Sequence, residues 1–70
     1  MINIWEFAED LPFVEIKDIS GAVFKGGMIH VSDAEEAEED AVIIKILNGG
    51  IRIFPVSQIA SIKRVDRYHL

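Results

Sequence analysis

Ala41-Val42-Ile43-Ile44-Lys45-Ile46-Leu47-Asn48-Gly49-Gly50-Ile51-Arg52-Ile53-Phe54 is the stretch that decides the fold. Its first seven residues are apolar except for Lys45, which marks a strand buried on both faces, or buried on one face and docked on the other. Asn-Gly accepts positive φ at both centres of a type I′ turn, whose twist matches that of paired strands. Residues 41–47 and 51–54 are therefore expected to form a hairpin.

Working outward, 55–58 (Pro-Val-Ser-Gln) is too short for a loop and reads as one 3₁₀ turn. A last strand is expected over 59–65, with 66–70 fraying. On the other side lies 33–40, with six acids in eight residues. Its self-repulsion and lack of large apolar groups predict a mobile acidic loop. Before it, 22–32 reads as a long strand interrupted by Gly26-Gly27, where glycine marks a bulge or bend. Asp18-Ile19-Ser20-Gly21 has turn chemistry. Residues 13–19 alternate, with Val14 and Ile16 on one face and Glu15 and Lys17 on the other.

The N-terminus reads as a short helix over about 3–11. Asn3 is a capping residue, with Glu6 three positions on. Ile4, Phe7, Ala8 and Leu11 fall at helical spacing, and Pro12 ends the run. So short a helix needs support, so its stripe is expected to cover one open end of the strands, with Trp5, off that stripe, expected as a partly buried core residue rather than one packed at the edge. The strands are placed at about 13–19, 22–32, 41–47, 51–55 and 59–65. The reading is one all-β domain over 1–70: a small, five-stranded, strongly bent barrel with a short N-terminal helix.

The second strand carries Gly21-x-x-Phe24-x-Gly26-x-Met28. This resembles the first motif of the Sm family: a glycine, an apolar residue three on, a second glycine five on and an apolar residue seven on. Val14 and Ile16 fit that family's first strand. Ile59 and Ile62 echo the paired aliphatics of its fifth. The chain is also similar to small bacterial proteins described as Sm-like domains of unestablished function. These share the Gly-x-x-Phe-x-Gly strand, an acidic loop and an ending like Ser57-x-Ile59-x-Ser61-Ile62. The resemblance implies an Sm-like, SH3-like barrel.

In that family, RNA is held by an Asp with an Asn four residues later, and by an Arg-Gly pair before the last strand. Here Asp33 comes one position late, position 37 is Ala37, and the Arg-Gly positions hold Pro55 and Val56. Neither offers the charge or stacking surface of arginine. No RNA-binding residue is carried over from the family.

Composition narrows the function further. Seventy residues support one core, and no cysteine is present to staple it or bind a metal. His30 and His69 are far apart in sequence, and His30 reads as an ordinary strand residue. The acidic loop lacks the central glycine and ligand order of a calcium loop. The glycine pairs at 26–27 and 49–50 lack the helix and lysine of a phosphate loop. No catalytic signature is visible, so no enzymatic activity, cofactor or metal is expected. No apolar run is long enough to span a membrane. Nor is there a basic n-region followed by a long apolar stretch, which points to a cytoplasmic protein.

The net charge of −5 is unevenly spread: residues 1–44 hold eleven acids and two bases, whereas 45–70 hold five bases and one acid. Two functions follow. Half the residues are apolar, a surplus for so small a domain. That favours a protein-interaction or self-assembly module, a homo-oligomer joined through edge strands or docked on an unidentified protein. Its candidate edge residues are Ile51, Ile53, Phe54, Ile59 and Ile62. The alternative is RNA binding through the basic end, Lys63, Arg64 and Arg67, with Tyr68 stacking on a base and His69 beside it. Net charge and the missing Sm residues favour the first.

Overall fold

A computed structural model of the chain describes residues 2–35, 38–47 and 49–65. Five strands form one antiparallel sheet: β1 (Phe13–Asp18), β2 (Val23–Ser32), β3 (Ala41–Ile46), β4 (Ile51–Pro55) and β5 (Ile59–Arg64). Their order is β4-β3-β2-β1-β5. The first four make a meander. β5 crosses back to pair with β1, with Ile16 opposite Ile62.

β4 and β5 lie at opposite ends of this order, yet a single 3₁₀ turn, Val56–Gln58, joins them. Four peptide steps from Pro55 to Ile59 reach at most about 15 Å. A flat sheet would separate the two strands by about 19 Å. The sheet must therefore curl, and its concave face holds the core. Val14, Ile16, Met28, Val31, Val42, Ile44, Phe54 and Ile59 are buried there. Among the described residues no ladder links β4 to β5, so the sheet stays open along that seam.

The expected helix over 3–11 is corrected to a single 3₁₀ turn, Ile4–Phe7. Asn3 caps it, its side-chain oxygen accepting from the Trp5 N–H at 3.1 Å. Pro12 bars Leu11 from helical geometry. Leu11 instead takes φ 45°, and its N–H donates to the Phe7 carbonyl at 2.9 Å. Three of the four stripe residues reach the core: Ile4 and Phe7 are buried and Ala8 packs against them, while Leu11 is exposed. Trp5, expected to be partly buried, is instead exposed.

Strand limits move by a residue at most: β1 stops at Asp18, β2 starts at Val23, β3 stops at Ile46 and β5 stops at Arg64. Asp18 closes the first hairpin, its Oδ1 accepting from the Ser20 N–H, the Ser20 hydroxyl and the Ala22 N–H. β2 runs through Gly26 and Gly27 in register with both neighbours, and its shift against β3 falls between Met28 and His30. The irregularity expected at the glycines thus falls instead between Met28 and His30. Gly26 has a different task. A Cβ on it would lie 2.2 Å from the Lys45 carbonyl oxygen, so only glycine fits.

The β3–β4 turn also differs from expectation. The Gly49 N–H donates to the Ile46 carbonyl at 3.1 Å, and the Ile46 N–H donates to the Gly50 carbonyl at 3.0 Å. The loop is therefore 47–49, three residues, with Gly49 at φ 110° as the left-handed bulge position. Asn48, on which the two-residue turn was centred, lies outside the described residues. The core supplies the reason. This register sets Phe54 against Val42 and Arg52 against Ile44. A two-residue loop would slip β4 by one, turning Phe54 outward and Ile53 inward. Burying the larger aromatic side chain stabilises the longer loop.

Candidate interaction surface

Alternation along β4 now sorts its side chains. Phe54 is buried, and Arg52 shares its face, with its guanidinium 4.5 Å from the Phe24 ring centre and 5.6 Å from that of Phe54. Phe24 and Phe54 themselves meet at 5.1 Å between centroids. Ile51 and Ile53 point the other way and are 63% and 62% exposed. They stand beside Lys45 and the half-buried Ile43, their partners on β3. Single exposed aliphatics are ordinary on a protein surface. Two on an outer strand, with a third beside them, make a patch next to unpaired backbone.

The five candidate edge residues therefore do not form one surface. Ile51 and Ile53 lie together on the convex side of β4. Phe54 and Ile59 are in the core and have nothing to offer a neighbour, while Ile62 is half-buried against that core from β5. Sequence reasoning passed over Arg52. Its period-two position, in step with Phe54, is the signal that places it over the aromatic pair.

The basic residues are divided as well. Lys63 sits on the convex face of β5, with Nζ 3.5 Å from Glu15 Oε2, and Lys25 approaches the same carboxylate from β2 at 3.8 Å. Arg64 turns inward. It bonds Asp10 through Nη1, reaches the Glu6 carbonyl through Nη2 at 3.3 Å and lies 5.0 Å from the centre of the Phe7 ring. That hydrogen bond from Arg64 lowers the Asp10 pKa. Arg64 is thus the tie between the N-terminal turn and β5, and Lys63 belongs to a charge ladder. Arg67, Tyr68 and His69 lie outside the described residues.

At the β4–β5 corner, two acids of the 33–40 segment are engaged. Glu39 accepts from both the backbone N–H and the hydroxyl of Ser57, at 2.8 and 3.0 Å. Asp40 accepts from the Trp5 indole N–H at 2.9 Å. Glu36 and Ala37 lie outside the described residues. Elsewhere, Leu11, Phe13, Gly27, Lys45, Ile46 and Leu47 line an open hollow of about 390 Å³. Among the described residues no three His, Cys, Asp or Glu side chains are grouped to hold a metal ion. No helix among them is long and apolar enough to cross a membrane. Compared with protein-family models, curated proteins and solved structures, the chain matches none.

Proposed function

We propose that this chain is a small, strongly bent barrel of the Sm-like or SH3-like kind, open along one seam, that works without enzymatic activity as a protein-interaction or self-assembly module. One observation carries the reading: Ile51 and Ile53 stand exposed on β4, an outer strand with no neighbouring strand on its far side among the described residues. Such an edge is a template for another strand, and proteins that stay monomeric tend to blunt it with charge, bulges or cover. Here Arg52 and Pro55 blunt it only in part, and the aliphatic Ile51 and Ile53 flank it on the exposed face. The RNA-binding alternative loses ground because Arg64 is committed to Asp10, Glu6 and Phe7, and Lys63 to Glu15.

Sedimentation or light scattering from low to high micromolar concentration tests the assembly reading. The expected result is a mass above the 7.9 kDa of one chain, rising with concentration. A single 7.9 kDa species throughout would sink self-assembly.

A further inference from the structure

The backbone of β4 specifies how a second copy would join, an inference that rests on the self-assembly reading above. Two hydrogen bonds bracket the β3–β4 ladder: Ile46 N–H to the Gly50 carbonyl, and Val56 N–H to the Asp40 carbonyl at 2.9 Å. Bonded and non-bonded pairs alternate in an antiparallel ladder. Counting inward from either end gives the same answer. Arg52 and Phe54 exchange bonds with β3, so Ile51, Ile53 and Pro55 turn their backbone groups to the open edge. Proline has no N–H. The edge therefore offers two donors, from Ile51 and Ile53, and three acceptors, from Ile51, Ile53 and Pro55.

Two antiparallel registers of β4 on β4 use both donors of each copy. One is centred on Arg52 and sets Ile51 against the second copy's Ile53. It also sets two Arg52 side chains directly opposite in a non-bonded pair, where side chains come closest and like charges destabilise. The other is centred on Ile53. There the two Ile53 residues exchange bonds, and each Ile51 N–H meets the Pro55 carbonyl of the other copy. The Ile51 carbonyl opposite Pro55 receives no bond and stays in solvent, so both registers make the same number of bonds, but here no arginine faces another.

Charge agrees with an antiparallel join. Lys45 and Arg52 mark the Gly50 end of the edge, while Glu39 and Asp40 mark the Pro55 end. A twofold axis through Ile53 brings the basic end of each copy to the acidic end of the other. β5 is the poorer partner. By the same counting from the Val65 N–H bond to the Phe13 carbonyl, its free groups in the regular part of the ladder are those of Ile62 and Arg64, and the register shifts beyond Ser61. The N-terminal segment flanks that edge, with Ile2, Asn3, Glu6 and Phe7 lining a hollow together with Ala60, Ser61 and Ile62.

We propose that two copies join β4 to β4, antiparallel about a twofold axis at Ile53, so that the five strands of each continue as one sheet. Ile51 and Ile53 of both copies then form one apolar stripe on the convex face. The contact is the same patch on both copies, so assembly stops at two.

Cysteine substitution tests this in a chain with no native thiol. A bonded antiparallel pair holds its Cα atoms about 5.5 Å apart, within the range a disulfide spans. The wild-type chain is expected to sediment as a dimer. Ile53→Cys should form covalent homodimers on mild oxidation, and Lys63→Cys should not. Ile53→Lys should give a monomer with an unchanged circular dichroism spectrum. If the wild type is larger than a dimer and Ile53→Cys links only to Lys63→Cys in a mixture, the twofold arrangement falls and self-assembly stands. A wild-type monomer with no cross-linking in any mixture overturns both. An Ile53→Lys variant that remains dimeric overturns the twofold contact alone.

Discussion

Gly26 lies against the Lys45 backbone across the β2–β3 ladder, one step from its direct partner Ile46, with no room for a side chain: a Cβ on Gly26 would lie 2.2 Å from the Lys45 carbonyl oxygen. Backbone cannot swing away as a flexible side chain does. Gly26→Ala is expected to destabilise the fold by about 3 kcal/mol through this overpacking, a large share of what a small domain holds. Gly27→Ala is the control. Its Cβ would meet only Phe13 Cδ2, at an ordinary 3.7 Å, and the melting temperature should barely move. Urea denaturation of the two variants side by side measures the difference. Equal losses would show that glycine flexibility matters here, and the close approach does not.

Ile16 and Ile53 are the same residue type at opposite extremes of burial. Ile16→Ala should cost about 3 kcal/mol in the same assay, as a fully buried aliphatic truncation does. Ile53→Ala should change the stability of the monomer by less than about 0.5 kcal/mol. If Ile53→Ala proved as damaging as Ile16→Ala at concentrations where the chain is monomeric, the strand register described here would be wrong.

The Arg64–Asp10 contact carries a pH signature. Asp10 has its pKa lowered in the folded state, chiefly by the hydrogen bond from Arg64. A depressed carboxylate stabilises the fold above its unfolded pKa, and that contribution is lost as pH falls through the folded value. Arg64→Met should therefore lower the melting temperature most near neutral pH. The gap from wild type should narrow in strong acid without vanishing, since the contact with Phe7 does not titrate. A gap independent of pH would mean that Asp10 contributes nothing to it.

Trp5 is the sole tryptophan and donates its indole N–H to Asp40. Its fluorescence is thus a local probe of the corner where Glu39 holds Ser57. Asp40→Ala should shift the emission maximum while costing no more than about 1 kcal/mol, the scale of one exposed hydrogen bond. An unchanged spectrum would show that the bond is not formed in solution.

Much of the strand pattern was legible because strands announce themselves by period. Val14 and Ile16 alternate with charged neighbours, and both are buried as that alternation requires. Asp18 and Ser20 carried the first turn by side-chain chemistry that acts within a few residues. The N-terminal turn was misread because apolar spacing cannot distinguish two turns of helix from one turn of 3₁₀ structure. The decisive fact was steric, the effect of Pro12 on Leu11. The second hairpin shows another limit. Asn48-Gly49 announced a reversal, but its register was set by whether Phe54 or Ile53 entered the core, which depends on the rest of the sheet. That one-residue choice decides which isoleucines are exposed, so the candidate surface was only partly readable. The contact of Arg64 was not readable for a similar reason: nothing local indicates that a basic residue at 64 will meet an acid at position 10.

The crossing of β5 back to β1 also has a kinetic consequence. The hairpins β1–β2 and β3–β4 join neighbours in sequence, whereas Ile16 must find Ile62 across most of the chain. Closing so long a loop is entropically costly before contacts repay it, and such topologies fold slowly. The meander is expected to assemble first and β5 to dock late. Until it does, β1 and β4 are both raw edges of a four-stranded intermediate. Arg64, arriving with β5, then acts as a molecular latch: the last strand to dock brings the group that fastens the first turn of the chain.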